Sequence, residues 1–204
     1  MQVRSAVQSK KFQHMQSAVR QIEAGLAQRR GKKRGPAFFE TVAPHRGIYA
    51  PLPVEVFTAH LERHPELKPE FSVADLGSGL GELCFAASFT FRKVVGYEMD
   101  PELIGEADNI RQLLDFRNVS FRREDFLKAD LSEFDALIVF QPFLEDFVPL
   151  ITWRLQNTPP GTHIISAISC AVRHDIFDAG NFRRIPAETP EKSWETLLET
   201  YLRV

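Results

Sequence analysis

The stretch Val73-Ala-Asp-Leu-Gly-Ser-Gly-Leu-Gly-Glu82, followed by Val94-Val-Gly-Tyr-Glu98, decides the fold of this chain. It predicts a strand, a glycine loop, a helix and a second strand that ends in a carboxylate. The glycines let the backbone turn sharply and approach a ligand closely, because they have no Cβ. Glu98 lies close to where a doubly wound sheet places the carboxylate that accepts hydrogen bonds from ribose hydroxyls.

Asp75 argues against a dinucleotide as the ligand. It stands at the end of the first strand, just ahead of the glycines. A carboxylate there repels a pyrophosphate and attracts the ammonium of an amino-acid moiety. S-adenosylmethionine (SAM) has that ammonium and a ribose, and it carries no phosphate, so the pattern favours SAM.

Three segments resemble the first three motifs of the class I SAM-dependent methyltransferases: Asp75 to Gly81, Glu98, and Glu124-Asp-Phe126. The likeness covers residues 48–170. It implies SAM as the cofactor, and it implies contacts with SAM from nine residues: Asp75, Gly77, Ser78, Gly79, Gly81, Glu98, Met99, Asp125 and Phe126. Two alternatives stay open, since Asp125 also fits as the N-cap of the segment 126–131 and Met99 also fits as a core side chain.

Strand and helix patterns alternate along the rest of the chain. The predicted strands are Phe71–Leu76, Lys93–Glu98, Val119–Arg123, Ala136–Phe140, Thr162–Ser169, Phe182–Ala187 and Trp194–Val204, with helices over 80–90, 101–115 and 143–156. Repeated strand-helix units predict a parallel sheet with right-handed crossovers. We expect an α/β, Rossmann-like, seven-stranded and mostly parallel sheet, with an antiparallel C-terminal hairpin and helices on both faces.

Charge is distributed unevenly between the N-terminal segment and the remainder. Residues 1–35 hold nine Lys or Arg and one acid, whereas residues 36–204 hold 16 bases and 26 acids. An apolar stripe at helical spacing runs through the first segment, at Phe12, Met15, Val19, Ile22 and Leu26. We therefore divide the chain into a basic amphipathic helix or arm (1–35) and a methyltransferase domain (36–204). The arm either docks on the acidic domain, binds nucleic acid or an acidic partner through residues 29–34, or is a disordered tail.

Composition limits the remaining possibilities. With 204 residues and 44% hydrophobic residues, the chain has enough apolar material for one good core. Cys84 and Cys170 lack metal-ligand spacing and indicate a reducing compartment, and His163 is expected in the core. No metal site is predicted. No apolar run is long enough to span a bilayer, which favours a cytoplasmic protein, although the basic N-terminus leaves organelle import open.

The loop after the fourth strand, Phe140-Gln-Pro-Phe143, is expected to face the transferred methyl group. Together with the Tyr49 segment it resembles the non-SET protein lysine methyltransferases, although Leu52 replaces a small hydroxyl residue of that group. The resemblance implies a protein lysine as acceptor, with Gln141, Phe143 and Tyr49 as catalytic residues. An RNA methyltransferase and a catalytically inactive SAM-binding adaptor are the alternatives.

Overall fold

A computed structural model describes residues 9–29, 52–140, 148–167, 176–177, 181–188 and 198–204. Within these ranges the chain forms five helices and seven strands. The helices are α1 (Lys10–Arg29), α2 (Val54–Glu62), α3 (Glu82–Ala87), α4 (Pro101–Leu113) and α5 (Val148–Gln156). The strands are β1 (Ser72–Leu76), β2 (Lys93–Glu98), β3 (Val119–Arg123), β4 (Ala136–Phe140), β5 (His163–Ala167), β6 (Phe182–Ile185) and β7 (Glu199–Arg203).

The seven described strands form one sheet in the order β3-β2-β1-β4-β5-β7-β6. Strands β1 to β5 pair in parallel, and β7 pairs antiparallel with both β5 and β6. The predicted mostly parallel sheet with a C-terminal hairpin is therefore confirmed. Within this hairpin it is β7 that pairs with β5, so that β6 forms the edge of the described sheet.

The central strands are apolar on both sides because helices cover both faces of the sheet. On one face Val73, Val94 and Ile138 pack with side chains of α1, α2, α3 and α4. On the other face Ala74, Val95 and Leu137 pack with Ile151 and Leu155 of α5. Adjacent residues of each strand therefore belong to opposite cores, as expected because successive side chains of a β-strand point to opposite faces.

Helix α1 docks on the first face, as the docking alternative for the arm expects, while the binding alternative for residues 29–34 stays a prediction. Its side chains Phe12, Met15, Val19 and Leu26 are almost completely buried, and Ile22 packs partly buried beside them. The helix contacts α3 and α4. The Phe12 ring meets the Phe89 ring edge-on, with centroids 5.9 Å apart, and Lys11 Nζ donates to the carbonyl oxygen of Asp115 at 2.8 Å.

Two helix ends show how local chemistry sets the boundaries. Asp100 caps α4, because its Oδ1 accepts from the backbone N–H groups of Glu102 and Leu103, and Pro101 occupies the first turn as expected. Helix α3 is shorter than the predicted 80–90, since it begins only after Gly81 and gives way to turns at 88–90. Ser88 Oγ donates to the Phe85 carbonyl at 2.6 Å at that point, which is a competing local bond typical of helix ends.

None of the described helices combines the length and the apolarity that crossing a bilayer requires.

Replacing Phe12 with Ala tests the docking of α1. Phe12 has no solvent exposure, so the substitution should lower the free energy of unfolding by about 3 to 5 kcal/mol in urea denaturation. His14→Ala is the matched control, because His14 lies on the exposed side of the same helix and should cost no more than about 0.5 kcal/mol. Equal losses for the two variants would show that α1 does not pack on the domain.

Candidate cofactor site

The glycine loop between β1 and α3 is held in a left-handed conformation. Gly77, Gly79 and Gly81 have φ angles of 91°, 55° and 80°, which side chains with a Cβ rarely adopt. The backbone N–H groups of Gly77 and Ser78 both donate to the Tyr97 carbonyl at 2.9 Å, and the Gly81 N–H donates to the Ser78 carbonyl at 2.8 Å. The loop is therefore fastened to the end of β2.

Close packing also requires glycine at two positions, Gly81 in this loop and Gly96 in β2. A Cβ at Gly81 would lie 2.5 Å from Cζ of Phe121, and a Cβ at Gly96 would lie 2.6 Å from Oγ of Ser78. Phe121 itself packs edge-on against Phe85, with ring centroids 5.6 Å apart, so the ring has little room to withdraw. The sequence analysis did not single out Phe121 or Gly96, because a contact across the sheet leaves no local signal.

Glu98 lies at the carboxyl end of β2, and both of its carboxylate oxygens accept backbone hydrogen bonds. Oε2 accepts from Gly79 N at 3.0 Å, while Oε1 accepts from Met99 N at 2.7 Å and from Asp100 N at 2.8 Å. Charge-assisted bonds of this kind are stronger than bonds between neutral groups. The carboxylate thus joins the glycine loop to the turn after β2, in addition to any role toward a ligand.

The residues assigned to the adenine contact differ in exposure. The Met99 side chain is 48% exposed beside Glu98, which excludes the alternative that it fills the core. Phe126, in contrast, is only 9% exposed and packs in the second core with Leu131 and Phe134. Asp125 Oδ1 accepts from Leu127 N at 3.1 Å, so the capping role open for Asp125 exists in the structure.

Asp75 is buried on the face covered by α3. Its side chain is 3% exposed, and Oδ2 accepts a hydrogen bond from Sγ of Cys84 at 3.3 Å. Burial raises the pKa of this carboxyl from 3.8 to about 7, and the nearby charge of Glu98 acts in the same direction. Burial also raises the pKa of the Cys84 thiol, which therefore keeps its proton and serves as the donor.

Ser78 lies inside the loop, and its hydroxyl has no hydrogen-bond partner among the described residues. The residue is 9% exposed, and Oγ is enclosed without a hydrogen bond. The Ser78 side chain lies against Gly96 and therefore points toward the sheet.

Other residues named from sequence lie elsewhere. His163 stands at the amino end of β5, the edge opposite to the glycine loop, where its ring contacts Phe71 at 5.3 Å. Phe140 ends β4 and is half-buried. Tyr49, Gln141 and Phe143 fall outside the described residues, as do positions 30–34 of the basic arm. In the described ranges no three His, Cys, Asp or Glu side chains come together as a metal site.

The sheet order, the left-handed glycine loop and a carboxylate at the tip of the second strand together define a class I methyltransferase type of fold. Comparison with known families agrees. A family model described as a methyltransferase domain matches residues 67–188. The chain belongs to this methyltransferase-domain family, and the resemblance drawn from its motifs to class I SAM-dependent methyltransferases is confirmed.

Solved structures share the fold at low sequence identity. An RNA methyltransferase from Salinibacter ruber, in complex with S-adenosyl-L-homocysteine, is 23% identical with a TM-score of 0.52, over 74% of this chain and 91% of that one. The magnesium protoporphyrin IX methyltransferase of Synechocystis PCC 6803 with bound SAM is 16% identical with a TM-score of 0.55, over 74% and 78%. A putative methylase from Haemophilus influenzae is 16% identical with a TM-score of 0.57, over 74% and 99%. A search of curated proteins found no match.

Gly81→Ala tests whether close packing, beyond backbone conformation, requires glycine in the loop. Gly161→Ala is the control, because Gly161 has a φ of 90° and a Cβ there would meet nothing within 4 Å. We expect the control to cost roughly 1 to 2 kcal/mol of unfolding free energy from the left-handed backbone alone. Gly81→Ala should cost roughly 1 to 3 kcal/mol more, because Phe121 must move. Equal losses in urea denaturation would contradict the packing argument.

The raised pKa of Asp75 predicts a pH dependence of stability. The folded chain holds this proton up to about pH 7, whereas the unfolded chain loses it near 3.8, so its contribution is complete below pH 3.8 and is lost as the pH rises to 7. Asp75→Asn should therefore become progressively more stable than the parent protein between pH 5 and 8, by an amount on the order of 4 kcal/mol at most.

Chemical denaturation at several pH values measures this difference. Glu70→Gln is the control, because it removes a carboxylate from an exposed position. Parallel pH curves for Asp75→Asn and the parent protein would show that Asp75 is already ionised in the folded state.

Proposed function

We propose that this chain transfers a methyl group from SAM to an amine, and that the amine is the side chain of a protein lysine. The proposal combines two findings: the chain belongs to the methyltransferase-domain family, and the crevice beyond the carboxyl ends of β1, β2 and β3 is acidic. The observation that carries it is the excess of carboxylates around the carboxyl ends of β1, β2 and β3.

The crevice rim is acidic in the segments that follow these strands. Residues 77–82, 98–103 and 123–128 contain six carboxylates and two bases. The acids are Glu82, Glu98, Asp100, Glu102, Glu124 and Asp125, and the bases are Arg123 and Lys128. A negative rim of this kind concentrates cations and repels polyanions. It therefore favours a protonated lysine as the arriving acceptor over an RNA phosphate backbone.

The residues present fit SAM as the methyl donor. The pre-fixed Glu98 carboxylate offers a charged acceptor for ribose hydroxyls, and its three backbone bonds hold it in place before the ligand arrives. The exposed Met99 side chain provides an apolar surface for adenine. Asp125, Phe126, Ser78 and the glycines 77, 79 and 81 remain in the proposed set. The buried Asp75 supports the ammonium end through its charge if the ligand displaces its proton.

SAM supplies a methyl group already activated on a sulfonium, so the protein has to bind and orient rather than activate. Alignment alone contributes on the order of 7 to 11 kcal/mol to such a reaction. The lysine must lose its proton before attack, and an apolar channel favours the neutral amine. Phe140, half-buried at the tip of β4, would line this channel with Tyr49 and Phe143, and Gln141 would accept a hydrogen bond from the amine.

Methylation of RNA is the second candidate. The excess of bases in residues 1–35 favours it, and two proteins of similar fold are an RNA methyltransferase from Salinibacter ruber and an rRNA methylase from Streptococcus thermophilus. The acidic rim counts against it, because phosphates would have to approach the carboxylates that surround the crevice.

Methyl-group labelling tests the proposal. The purified chain is incubated with deuterium-labelled SAM and three acceptors in parallel: a lysine-glycine peptide, its arginine-glycine counterpart, and total RNA. We expect mass spectrometry to find the label on lysine Nε alone. Label in RNA alone would establish the second candidate, and no label in any acceptor or in lysate proteins would leave the non-catalytic adaptor.

Substitutions of Glu98 and Gln141 separate SAM binding from turnover, with Glu124 as a control position. Glu98→Gln should weaken SAM binding by roughly 1.5 to 3 kcal/mol in calorimetry, because a charged acceptor becomes neutral. Glu124→Gln, which removes a charge from the same rim, should have a much smaller effect. Gln141→Ala should leave SAM binding nearly intact while turnover falls, and unchanged turnover would remove Gln141 from the proposed catalytic set.

A further inference from the structure

Docking of α1 buries its apolar side chains and its acid, and it leaves basic and neutral polar side chains exposed. Its apolar stripe and its single acid, Glu23, face the domain, and Glu23 is 6% exposed. The exposed positions are held by Lys10, Gln13, His14, Ser17, Arg20 and Gln21, followed by Ala24 and Gln28. We call the first six residues the outer face of α1. It contains bases, amides and a hydroxyl, and no carboxylate.

We infer that the outer face of α1 binds the sugar–phosphate backbone of a nucleic acid. Phosphate contacts in nucleic-acid complexes come from Lys and Arg and from the side chains of Ser, Asn, Gln and Tyr. Lys, Arg, Ser and Gln side chains of this kind are present on one helix face here, at successive turns. The inference concerns a binding surface and is independent of the acceptor that is methylated.

A groove runs along this face. Its volume is about 440 Å³, and the described residues that line it are Gln13, Gln16, Ser17, Arg20, Gln21 and Ala24. The Arg20 side chain is one of the six described side chains that line this groove.

The neighbouring acids are already engaged. The Glu55 carboxylate of α2 accepts from Gln16 Nε2 at 3.0 Å. Asp115, beyond α4, accepts from Arg117 Nε at 3.0 Å through both oxygens. In the described part of the chain, neither Lys10 nor Arg20 has a carboxylate partner within ion-pair distance. Both cations are thus available to a phosphate.

The position of α1 separates this surface from the acidic rim. Helix α1 covers α3 and α4 on one face of the sheet, whereas the rim lies at the carboxyl ends of the strands. A polyanion can therefore contact the outer face without crossing the carboxylates.

Salt-dependent binding of fluorescein-labelled oligouridine of 20 nucleotides tests the inference with the full chain. The double variant Lys10→Gln/Arg20→Gln removes two cations from the outer face. Each cation that neutralises a phosphate contributes about 0.7 to the slope of log K against log salt, so the slope should fall by about 1.4. This corresponds to a roughly twentyfold loss of affinity at 0.1 M salt.

The control Lys68→Gln/Arg183→Gln removes the same total charge from exposed positions outside α1. It should leave the slope unchanged if the contacts are local. Equal losses in both variants would overturn the inference, because binding would then follow net charge. Absence of oligouridine binding would also overturn it, as would equal binding of poly-L-glutamate, which would indicate an acidic protein partner. Thermal unfolding midpoints of the variants show that the fold is retained.

Discussion

The hydrogen bonds to Glu98 are the interaction on which the candidate site depends. The Glu98 carboxylate, at the tip of β2, accepts from the Gly79 N–H in the loop and from the backbone N–H groups of Met99 and Asp100. The carbonyl of Tyr97, one residue earlier, binds the same loop from behind. Five backbone donors thus converge on one strand end, and the three donors from the loop, at Gly77, Ser78 and Gly79, would lose their partners if the strand shifted by a residue. Preorganisation of this kind lowers the cost of ordering groups around a ligand.

Behind that wall, the structure places a carboxyl in an apolar setting. Burial raises the pKa of Asp75 to about 7, and the group that donates a hydrogen bond to this carboxyl is the Cys84 thiol, not a cation. The helix that carries the thiol is only six residues long and is supported from outside by α1 and α2. The N-terminal helix therefore stabilises the loop indirectly, through α3. The segment with the distinct composition therefore packs in the same core as α2, α3 and α4.

Much of this architecture is readable from sequence, and the exceptions have physical causes. Glycine spacing and apolar runs predict strands β1 to β4 almost to the residue, since both are local signals. Three features depend on contacts between distant segments: the insertion of β7, the burial of Asp75 and the burial of Phe126. A pattern of polar and apolar residues does not report which helix will cover a strand end. The Glu98 bonds to backbone are invisible for the same reason, because every residue offers an N–H.

Strand β7 has a consequence for the order of folding. Since it lies between β5 and β6, β6 reaches the rest of the described sheet only through β7. Residues 182–185 therefore join the sheet no earlier than residues 199–203 pair with β5. Pairing between distant segments slows folding and exposes strand edges to other chains. This corner of the sheet is therefore expected to form late and to be the part of the folding protein most open to pairing with another chain.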